Sequence, residues 1–326
     1  MKAAVAERYG PPEVLRIKEI ATPTPKDNEI LIRIHVTTVT SADWRVRSQT
    51  VPTGFGLIMR LVFGLRKPRQ PILGSELAGV VAAIGRDVTR FKVGERVFAF
   101  SDVGMGCQAE YIVLPQDGMV VPTPPELTDE TAAALCFGGT TALDFLRRGK
   151  VQRGDKVMVN GASGAVGTAV VQLARHVGAE VTGVCSGANI DLVRSLGAAH
   201  VIDYTQADFS RNGQTYDLIV DTVGTAPFSR CRRSLKDGGR LLLVLAGLPE
   251  MLQGLWVSLT SRHTVIAGPA AVKLEDLRHL ATLAEAGEFQ PVIDRRYPFE
   301  QIVEAHRYVD SGRKKGNVII SVRNQA

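Results

Sequence analysis

Three glycines mark the stretch of this chain with the clearest chemical meaning. Gly161, Gly164 and Gly167 fall at every third position between a short apolar run and a segment with apolar residues at helical spacing. Glycines in this pattern allow a tight turn, a close approach of the backbone to a ligand, and close packing of a helix on a strand. The N-terminus of the following helix offers unpaired N–H groups and the positive end of its dipole, which favour a pyrophosphate. The spacing therefore predicts a dinucleotide site.

A repeating order of strands and helices surrounds this loop. Residues 157–159 form the apolar run before it, and residues 180–185, 200–204 and 216–221 follow as further strand segments with helical patterns between them. This alternation is typical of a parallel sheet covered by helices, and it places the loop where such a sheet binds its ligand.

The first and last thirds of the chain have a different pattern. Short β-branched or alternating runs separated by proline and glycine fill the first third, which predicts an antiparallel, barrel-like domain. Pro122, Pro124 and Pro125 indicate a boundary, after which Thr128 is a candidate helix cap. Residues 274–286 and 301–309 are helical in pattern, and residues 317–322 form a final strand. These last pieces could complete the nucleotide sheet or return to the first domain.

Composition narrows the function classes. The chain has 326 residues, 45% hydrophobic and 22% charged, which suits two ordinary globular domains. Its net charge of +6 comes from cations spread along the chain. No basic patch with interleaved aromatics appears, so nucleic-acid binding is not expected. The four cysteines are far apart and the chain starts with a strand pattern, which predicts reduced thiols and a cytoplasmic protein.

Residues 55–65 form the most apolar segment outside the sheets. The segment is interrupted by Arg60 and is too short to cross a bilayer, so no membrane span is expected. We interpret it as a loop or short helix that covers a pocket or contacts another subunit.

Six ordered motifs run along the chain: GSELAGVVAAIG (74–85), GERVF (94–98), AEY (109–111), GASGAVG (161–167), LGAAHVIDY (196–204) and DTVG (221–224). Together they resemble the medium-chain dehydrogenase/reductase superfamily, and its zinc-less quinone oxidoreductase-like branch in particular. The resemblance implies an α/β fold with a GroES-like, β-barrel-like catalytic domain over residues 1–125 and a Rossmann domain with a doubly wound parallel sheet over residues 126–268. It also implies that residues 269–326 return to the catalytic domain, with the active site in the cleft between the domains.

Zinc members of this superfamily carry two metal ligands that are missing here. A cysteine is expected near residues 40–43, which are Thr-Ser-Ala-Asp, and a histidine is expected at Ser75. We therefore expect no metal, and with it an acceptor that spreads the developing negative charge by itself, such as a quinone or an α,β-unsaturated carbonyl. A metal-free alcohol or aldehyde oxidoreductase and a catalytically weak, NADPH-binding sensor or partner protein are the alternatives.

The second strand of the nucleotide domain suggests which cofactor binds. Enzymes that choose NAD usually place an acid at the end of this strand, but here no acid occurs before Asp191. NADPH is therefore predicted in preference to NADH, with its 2′-phosphate contacted by Ser186, Asn189 and Tyr204.

The resemblance implies roles for further residues. The glycine loop binds the pyrophosphate, residues 223 and 245–247 line the path toward the nicotinamide, and two threonines flank the nicotinamide. The turn at residues 313–315 is interpreted as solvated. Together with the three phosphate-side residues, the predicted cofactor contacts are Thr140, Thr141, Gly161, Ala162, Ser163, Gly164, Ala165, Val166, Gly167, Val223, Leu245, Ala246, Gly247 and Asn317.

The catalytic side chains are harder to identify. Several quinone oxidoreductases have a tyrosine where this chain has Arg45, so no tyrosine proton donor carries over. Asp43 occupies the former metal-ligand region and is predicted to orient substrate or water, with a loop cap as the alternative, and Arg47 is predicted to steady the same loop. The resemblance also suggests a homodimer formed through the edge of the nucleotide sheet.

Overall fold

The chain folds into two compact units. The computed structural model describes residues 1–322. Within these residues, one unit contains residues 1–51, 56–137 and 273–322, and the other contains residues 52–55 and 138–272. The strands are β1 (Lys2–Ala6), β2 (Leu15–Glu19), β3 (Glu29–Val39), β4 (Glu76–Ile84), β5 (Arg96–Phe100), β6 (Tyr111–Pro115), β7 (Val120–Pro122), β8 (Lys156–Asn160), β9 (Glu180–Cys185), β10 (His200–Asp203), β11 (Tyr216–Asp221), β12 (Leu235–Leu243), β13 (Thr264–Ala267), β14 (Ile293–Pro298) and β15 (Asn317–Ser321).

Local capping signals set several helix ends. Thr128 accepts a hydrogen bond from the Thr131 amide, which confirms the predicted cap, and Gly178 ends its helix with a φ of 92°. The α-helices are α1 (Ser41–Ser48), α2 (Gly56–Phe63), α3 (Asp129–Ala134), α4 (Cys136–Arg148), α5 (Ala165–Val177), α6 (Ile190–Ser195), α7 (Phe228–Cys231), α8 (Leu248–Thr260), α9 (Leu274–Glu285) and α10 (Ile302–Asp310).

A mainly antiparallel sheet forms the first unit. Its strand order is β14-β15-β3-β4-β5-β7, with β6 also paired to β3. β15 runs antiparallel to β3, so the C-terminal strand lies inside this sheet. Buried aliphatic side chains of β3, β4 and β15 share one core with residues of α10. The apolar alternation of the first third therefore reflects a sheet with a packed inner face.

The second unit is a doubly wound parallel sheet, as predicted. Its order is β10-β9-β8-β11-β12-β13, and each adjacent pair of strands is parallel. The order reverses at β8, which is the first strand of this unit and lies between β9 and β11. In such sheets a ligand binds at the carboxyl ends of the strands next to this reversal.

The division into units differs from the domain boundaries predicted from the sequence. The units separate between Phe137 and Gly138, whereas the sequence predicted a boundary after residue 125. α3 belongs to the first unit because it packs on β3 and β4. The helix α9 and the described residues after it, up to residue 322, also group with the first unit.

The apolar segment at residues 55–65 contains the short helix α2. Met59 and Phe63 pack on a buried cluster that includes Val46, Leu73 and Met105, while the other aliphatic side chains of the helix are exposed. Across residues 1–322, no helix combines the length and the apolar character that crossing a membrane requires.

Candidate functional site

The glycine loop joins β8 to α5 in the second unit. Gly161 has a φ of +81°, and a Cβ atom there would lie 2.6 Å from Thr222 Oγ1. A Cβ atom on Gly167 would lie 2.1 Å from the carbonyl oxygen of Gly161, so the first turn of α5 packs directly on the loop backbone. The helix starts after Gly164, which supplies no side-chain cap. Its first N–H groups, including those of Ala165, lack acceptors within the helix and are available to an anion.

Asp221 organises the turn that follows β11. Its carboxylate accepts hydrogen bonds from Asn160 Nδ2 at 2.9 Å and from the amides of Val223, Gly224 and Ala226 at 3.2, 3.1 and 2.8 Å. The side chain is buried, and the bond to Asn160 ties the end of β11 to the end of β8. Sequence reasoning did not include Asp221 in the site, although an acid that ends an apolar strand beside the DTVG glycine is a detectable signal.

The residues predicted to contact the 2′-phosphate lie at the ends of neighbouring strands. Asn189 Nδ2 donates to Ser163 Oγ at 3.0 Å and to Ser186 Oγ at 3.2 Å. The Tyr204 amide donates to the carbonyl oxygen of Cys185, and its side chain is exposed. The structure therefore brings these four predicted residues to the carboxyl edge of the sheet, where β8, β9 and β10 end.

Asp203, at the end of β10, was not predicted as a site residue. Thr205 donates to Asp203 Oδ1 from its amide and its hydroxyl, and the Gly187 amide also donates to this carboxylate. These hydrogen bonds lower the pKa of Asp203. A Cβ atom on Gly187 would lie 2.6 Å from Asp203 Oδ2. An ionised carboxylate therefore lies directly against the loop at residues 186–189.

The other predicted cofactor residues fall into three places. Ala162 and Val166 are buried in or beside the glycine loop, and Thr140 and Thr141 are buried on α4. Leu245 packs near Gly224, Ala246 follows it, and Gly247 donates its amide to Glu250 at the start of α8. Asn317 lies in the first unit, where its Nδ2 donates to the carbonyl oxygen of Val292 at 3.1 Å, and its contact with a cofactor stays a prediction.

The second unit fits a dinucleotide. The loop backbone packs so closely at Gly161 and Gly167 that a Cβ atom at either position would collide with neighbouring atoms. The N-terminus of α5 lies beside this loop, at the point where the strand order of the sheet reverses. The backbone N–H groups at the start of α5 therefore lie beside glycine backbone, which is what a pyrophosphate requires.

Asp43 lies in the first unit and is completely buried. Its carboxylate accepts from the Thr40 amide and hydroxyl, each at 2.7 Å, and from the Gly74 amide at 2.8 Å. Thr40 in turn caps α1, so the aspartate joins the start of this helix to the segment before β4. Burial raises the pKa of Asp43, and these hydrogen bonds oppose the rise. Its predicted part in catalysis stays a prediction.

Glu76 and Lys314 form a second group of charges in this unit. The buried Glu76 carboxylate accepts from Thr38 Oγ1 at 2.5 Å and from the Phe137 amide at 2.6 Å, and burial raises its pKa to about 7. Burial also lowers the pKa of Lys314 to about 8, against the opposite effect of Glu76. Lys314 Nζ donates to the carbonyl oxygen of Gly316. Within the turn at residues 313–315, which the sequence interpreted as solvated, Lys314 is therefore only partly exposed.

The raised pKa of Glu76 predicts a pH-dependent stability. A carboxyl group with a raised pKa in the folded protein contributes stability below its unfolded pKa and loses it as the pH rises through the folded value. We therefore expect the free energy of unfolding to fall between about pH 5 and about pH 8. Glu76→Gln should be up to roughly 3 kcal/mol more stable than the wild type near pH 8 and similar near pH 5.

Denaturant unfolding across this pH range measures the effect. Glu126→Gln is the matched control because Glu126 is exposed, and its profile should follow that of the wild type. If the free energy of unfolding of Glu76→Gln fell with pH as steeply as that of the wild type, the raised pKa of Glu76 would be contradicted.

Arg47 forms the centre of a buried network. Its Nη2 donates to both carboxylate oxygens of Asp310 at 2.6 and 2.5 Å, and its Nη1 donates to the carbonyl oxygen of Gly10 at 2.6 Å. Nε lies 3.3 Å from His306 Nδ1, and His306 Nε2 lies 3.2 Å from Gln108 Oε1. Arg47 thus joins α1 to α10, and its inclusion among the catalytic residues stays a prediction.

The side chains at the expected metal position do not fit a catalytic zinc. Zinc needs thiolate, imidazole or carboxylate ligands with free lone pairs. Ser75 offers only a hydroxyl, and the Asp43 carboxylate is engaged in hydrogen bonds. Among residues 1–322, no three His, Cys, Asp or Glu side chains group so that they could hold a metal ion.

Comparison with known proteins agrees with this architecture. Residues 26–125 match the family description "Alcohol dehydrogenase GroES-like domain", and residues 196–320 match "Zinc-binding dehydrogenase". Human quinone oxidoreductase is 31% identical, covering 96% of this chain and 94% of the human protein. A 2-methylene-furan-3-one reductase from Solanum lycopersicum is 28% identical, covering 98% of this chain and 79% of that protein. The structure of the quinone oxidoreductase from Coxiella burnetii superposes with a TM-score of 0.87 at 26% identity and covers 99% of each chain.

These similarities confirm the predicted GroES-like domain and the predicted family. They extend over nearly the whole chain, and the fold of each unit agrees with them. The chain belongs to the quinone oxidoreductase-like branch of the medium-chain dehydrogenase/reductase superfamily and is an oxidoreductase that uses a nicotinamide cofactor.

Proposed function

We propose that the protein is a zinc-independent, NADPH-dependent reductase of quinones or α,β-unsaturated carbonyl compounds. The observation that supports this most directly is the side-chain set of the first unit, where Ser75 and a fully hydrogen-bonded Asp43 occupy the region of a catalytic zinc. Without a Lewis acid, acceptors that delocalise the added charge are easier to reduce than simple ketones. The names of the human and tomato relatives, a quinone oxidoreductase and an enone reductase, agree with this substrate class.

The reaction adds a hydride and a proton to the acceptor. The nicotinamide supplies the hydride when it is bound. The glycine loop and the N-terminus of α5 bind the pyrophosphate, while the Asp221 network holds the turn after β11 in place beside the loop. In the first unit, we assign Asp43 a positioning role, because its carboxylate ties the Gly74 backbone to the start of α1. Alignment of the donor and acceptor accounts for much of the rate in such a mechanism.

A spectrophotometric assay tests the substrate class. Purified protein is mixed with NADPH and a quinone, an enone or a simple ketone, each with and without a strong chelator. Consumption of NADPH should occur with the quinone or the enone and should be unaffected by the chelator. Asp43→Ala should lower turnover without changing the affinity for NADPH. Asp43 lies in the first unit, whereas the glycine loop that is proposed to bind the pyrophosphate lies in the second.

Other outcomes would redirect the proposal. Loss of turnover on chelation would contradict the metal-free mechanism, and equal rates with a simple ketone would contradict the substrate class. NADPH binding without turnover on any acceptor would favour a sensor or partner protein that has kept only the nucleotide fold.

The preference for NADPH is a proposal that the second strand supports. The residues after β9 are Ser186, Gly187, Ala188 and Asn189, which carry no acid that would repel a 2′-phosphate. Asp203 works against this preference, because its carboxylate accepts a hydrogen bond from the Gly187 amide and so places a negative charge beside the predicted 2′-phosphate contacts. We expect NADPH to bind more tightly than NADH. The negative charge of Asp203 should make this difference in affinity smaller than it would otherwise be.

Calorimetric titration with each cofactor measures both effects. Asp203→Asn should raise the affinity for NADPH by about threefold, the size expected for one charge screened by solvent, and leave NADH binding unchanged. Asp237→Asn is the matched control because this exposed aspartate pairs with Arg262 instead. Equal dissociation constants of the wild type for the two cofactors would contradict the preference.

We also propose a cytoplasmic homodimer. All four cysteines are buried thiols outside any disulfide, which agrees with a reducing compartment. β13 is paired with β12 at the edge of the parallel sheet, and a second copy could extend the sheet there. A monomeric mass in light scattering would contradict the dimer.

A further inference from the structure

The helix α2 presents an apolar face to solvent. Met59 and Phe63 anchor the helix on the buried cluster of the first unit. The remaining aliphatic side chains of the segment point away from that cluster and are between 45% and 68% exposed. We call this surface the α2 face, and its exposed members are Leu57, Ile58, Leu61, Val62 and Leu65.

A cationic loop follows the helix directly and has a defined shape. Gly64 has a φ of +122°, and a Cβ atom there would lie 2.1 Å from the carbonyl oxygen of Lys67, so the turn requires glycine. Tyr9 donates its hydroxyl to the carbonyl oxygen of Gly64 at 2.8 Å, and the Arg69 amide donates to the carbonyl oxygen of Phe63 at 2.7 Å. The exposed cations held on this loop are Arg66, Lys67 and Arg69.

The chain segment that contains α2 and the cationic loop has no acidic residue. No Asp or Glu occurs from residue 44 to residue 75, and Arg60 adds a fourth exposed cation on α2. Within the described chain, none of these four cations forms an ion pair with a carboxylate. Glu7, which lines the groove beside the loop, is already bonded to Lys18 at 2.7 Å. The cations are therefore available to an anionic partner.

We propose that the α2 face and the loop at residues 65–69 bind the surface of an anionic lipid membrane. An exposed aliphatic helix face bordered by arginine and lysine is the arrangement that lies in the interface plane, with the aliphatic side chains among acyl chains and the cations at lipid phosphates. This peripheral association is independent of the proposed chemistry, and no membrane span is involved.

The same features argue against two other occupants. A second copy placed symmetrically on this surface would bring two identical cationic loops together, and like charges at an interface are unfavourable. Single-stranded nucleic acid is bound through stacking on aromatic side chains, whereas the exposed side chains of the α2 face are aliphatic. A lipid membrane with anionic headgroups and an apolar interior matches both the cationic loop and the aliphatic α2 face.

Co-sedimentation of the whole protein with lipid vesicles tests the proposal. The probes are vesicles of phosphatidylcholine alone and vesicles that also contain phosphatidylglycerol, each at low and high salt. We expect binding to the anionic vesicles that weakens with salt, and little binding to the neutral ones. The triple variant Arg66→Gln/Lys67→Gln/Arg69→Gln should bind roughly 100-fold more weakly, about fivefold for each charge.

The aliphatic part is tested with a matched pair of variants. Leu57→Ser/Leu61→Ser should weaken vesicle binding by at least about tenfold. Leu252→Ser/Leu259→Ser is the control, because these leucines of α8 are 68% and 77% exposed but the cation that follows α8, Arg262, is paired with Asp237. The control should bind like the wild type. All of these side chains are exposed, so thermal unfolding should be nearly unchanged.

Three results would overturn the proposal. The first is equal binding to neutral and anionic vesicles, or none to either. The second is an equal loss of binding in both leucine variants, which would indicate unspecific adhesion of apolar surface. The third is a dimer that only Leu57→Ser/Leu61→Ser converts to a monomer while vesicle binding is retained, which would assign the α2 face to a second copy.

Discussion

Gly167→Ala is expected to weaken dinucleotide binding by roughly 100-fold and to lower the free energy of unfolding by about 1–3 kcal/mol. The added methyl group would lie 2.1 Å from the carbonyl oxygen of Gly161 and 2.9 Å from Ala162 Cα. These are backbone atoms of the loop itself and cannot rotate away. The start of α5 must therefore separate from the loop, and the N–H groups that bind the pyrophosphate leave their positions.

Two other alanine variants separate the effect of the steric collision at Gly167 from the effect of replacing a glycine by alanine. A Cβ atom on Gly104 has no neighbour within 4 Å, so Gly104→Ala should leave stability and affinity unchanged. A Cβ atom on Gly164 would lie 3.6 Å from the Gly161 carbonyl oxygen, which is an ordinary contact. Gly164→Ala should therefore unfold like the wild type. Calorimetric titration and denaturant unfolding provide the measurements, and wild-type affinity in Gly167→Ala would show that this packing does not form the cofactor site.

Arg47→Leu is expected to lower the free energy of unfolding by about 3–5 kcal/mol, the range for removing one partner of a buried ion pair. The guanidinium is completely buried and bonds to both oxygens of Asp310 and to the carbonyl oxygen of Gly10. Leucine would leave these acceptors without their donor. The link between α1 and α10 would be lost with them.

An exposed ion pair provides the control for Arg47. Arg86 and Asp27 lie 2.8 Å apart with exposures of 75% and 57%, so Arg86→Leu should cost at most about 1 kcal/mol. Both variants are compared by denaturant unfolding. Turnover of folded Arg47→Leu at low temperature then shows whether the arginine has any role beyond stability. A loss of stability no larger than that of Arg86→Leu would contradict the assigned network.

Local patterns were sufficient for the nucleotide unit. The glycine spacing and the alternation of strands and helices predicted the loop, the helix that follows it and a parallel sheet, and the structure has all three. Such features depend on residues close together in the chain, where backbone freedom and hydrophobic period decide the outcome. The resemblance to known motifs supplied the family and the GroES-like domain, which no short pattern could have done.

Contacts between distant segments were not predictable in the same way. Asn160 and Asp221 are 61 positions apart, and the bond between them exists because β8 and β11 are neighbours in the sheet. Asp203 meets Gly187 because β10 ends beside β9. The strand order decides both contacts.

The polarity of a side chain also failed to predict its surroundings. Arg47 and Lys314 are charged, yet one is completely buried and the other is desolvated enough to lower its pKa to about 8. Helix α2 shows the opposite mismatch, because its sequence is apolar and yet most of its side chains are exposed. Burial depends on which elements pack together, and long-range packing carries no local signature.

By itself, the sequence determined the chemistry that the chain can offer: a glycine loop for a pyrophosphate, a zinc position without zinc ligands, and a family of oxidoreductases. Only the tertiary structure decided which charges are paired, which are buried, and which face solvent, as at Asp43, Asp221 and the α2 face. The physical reason is that residue type sets what a side chain can bond, whereas the dielectric and the partners around it come from segments far away in the chain.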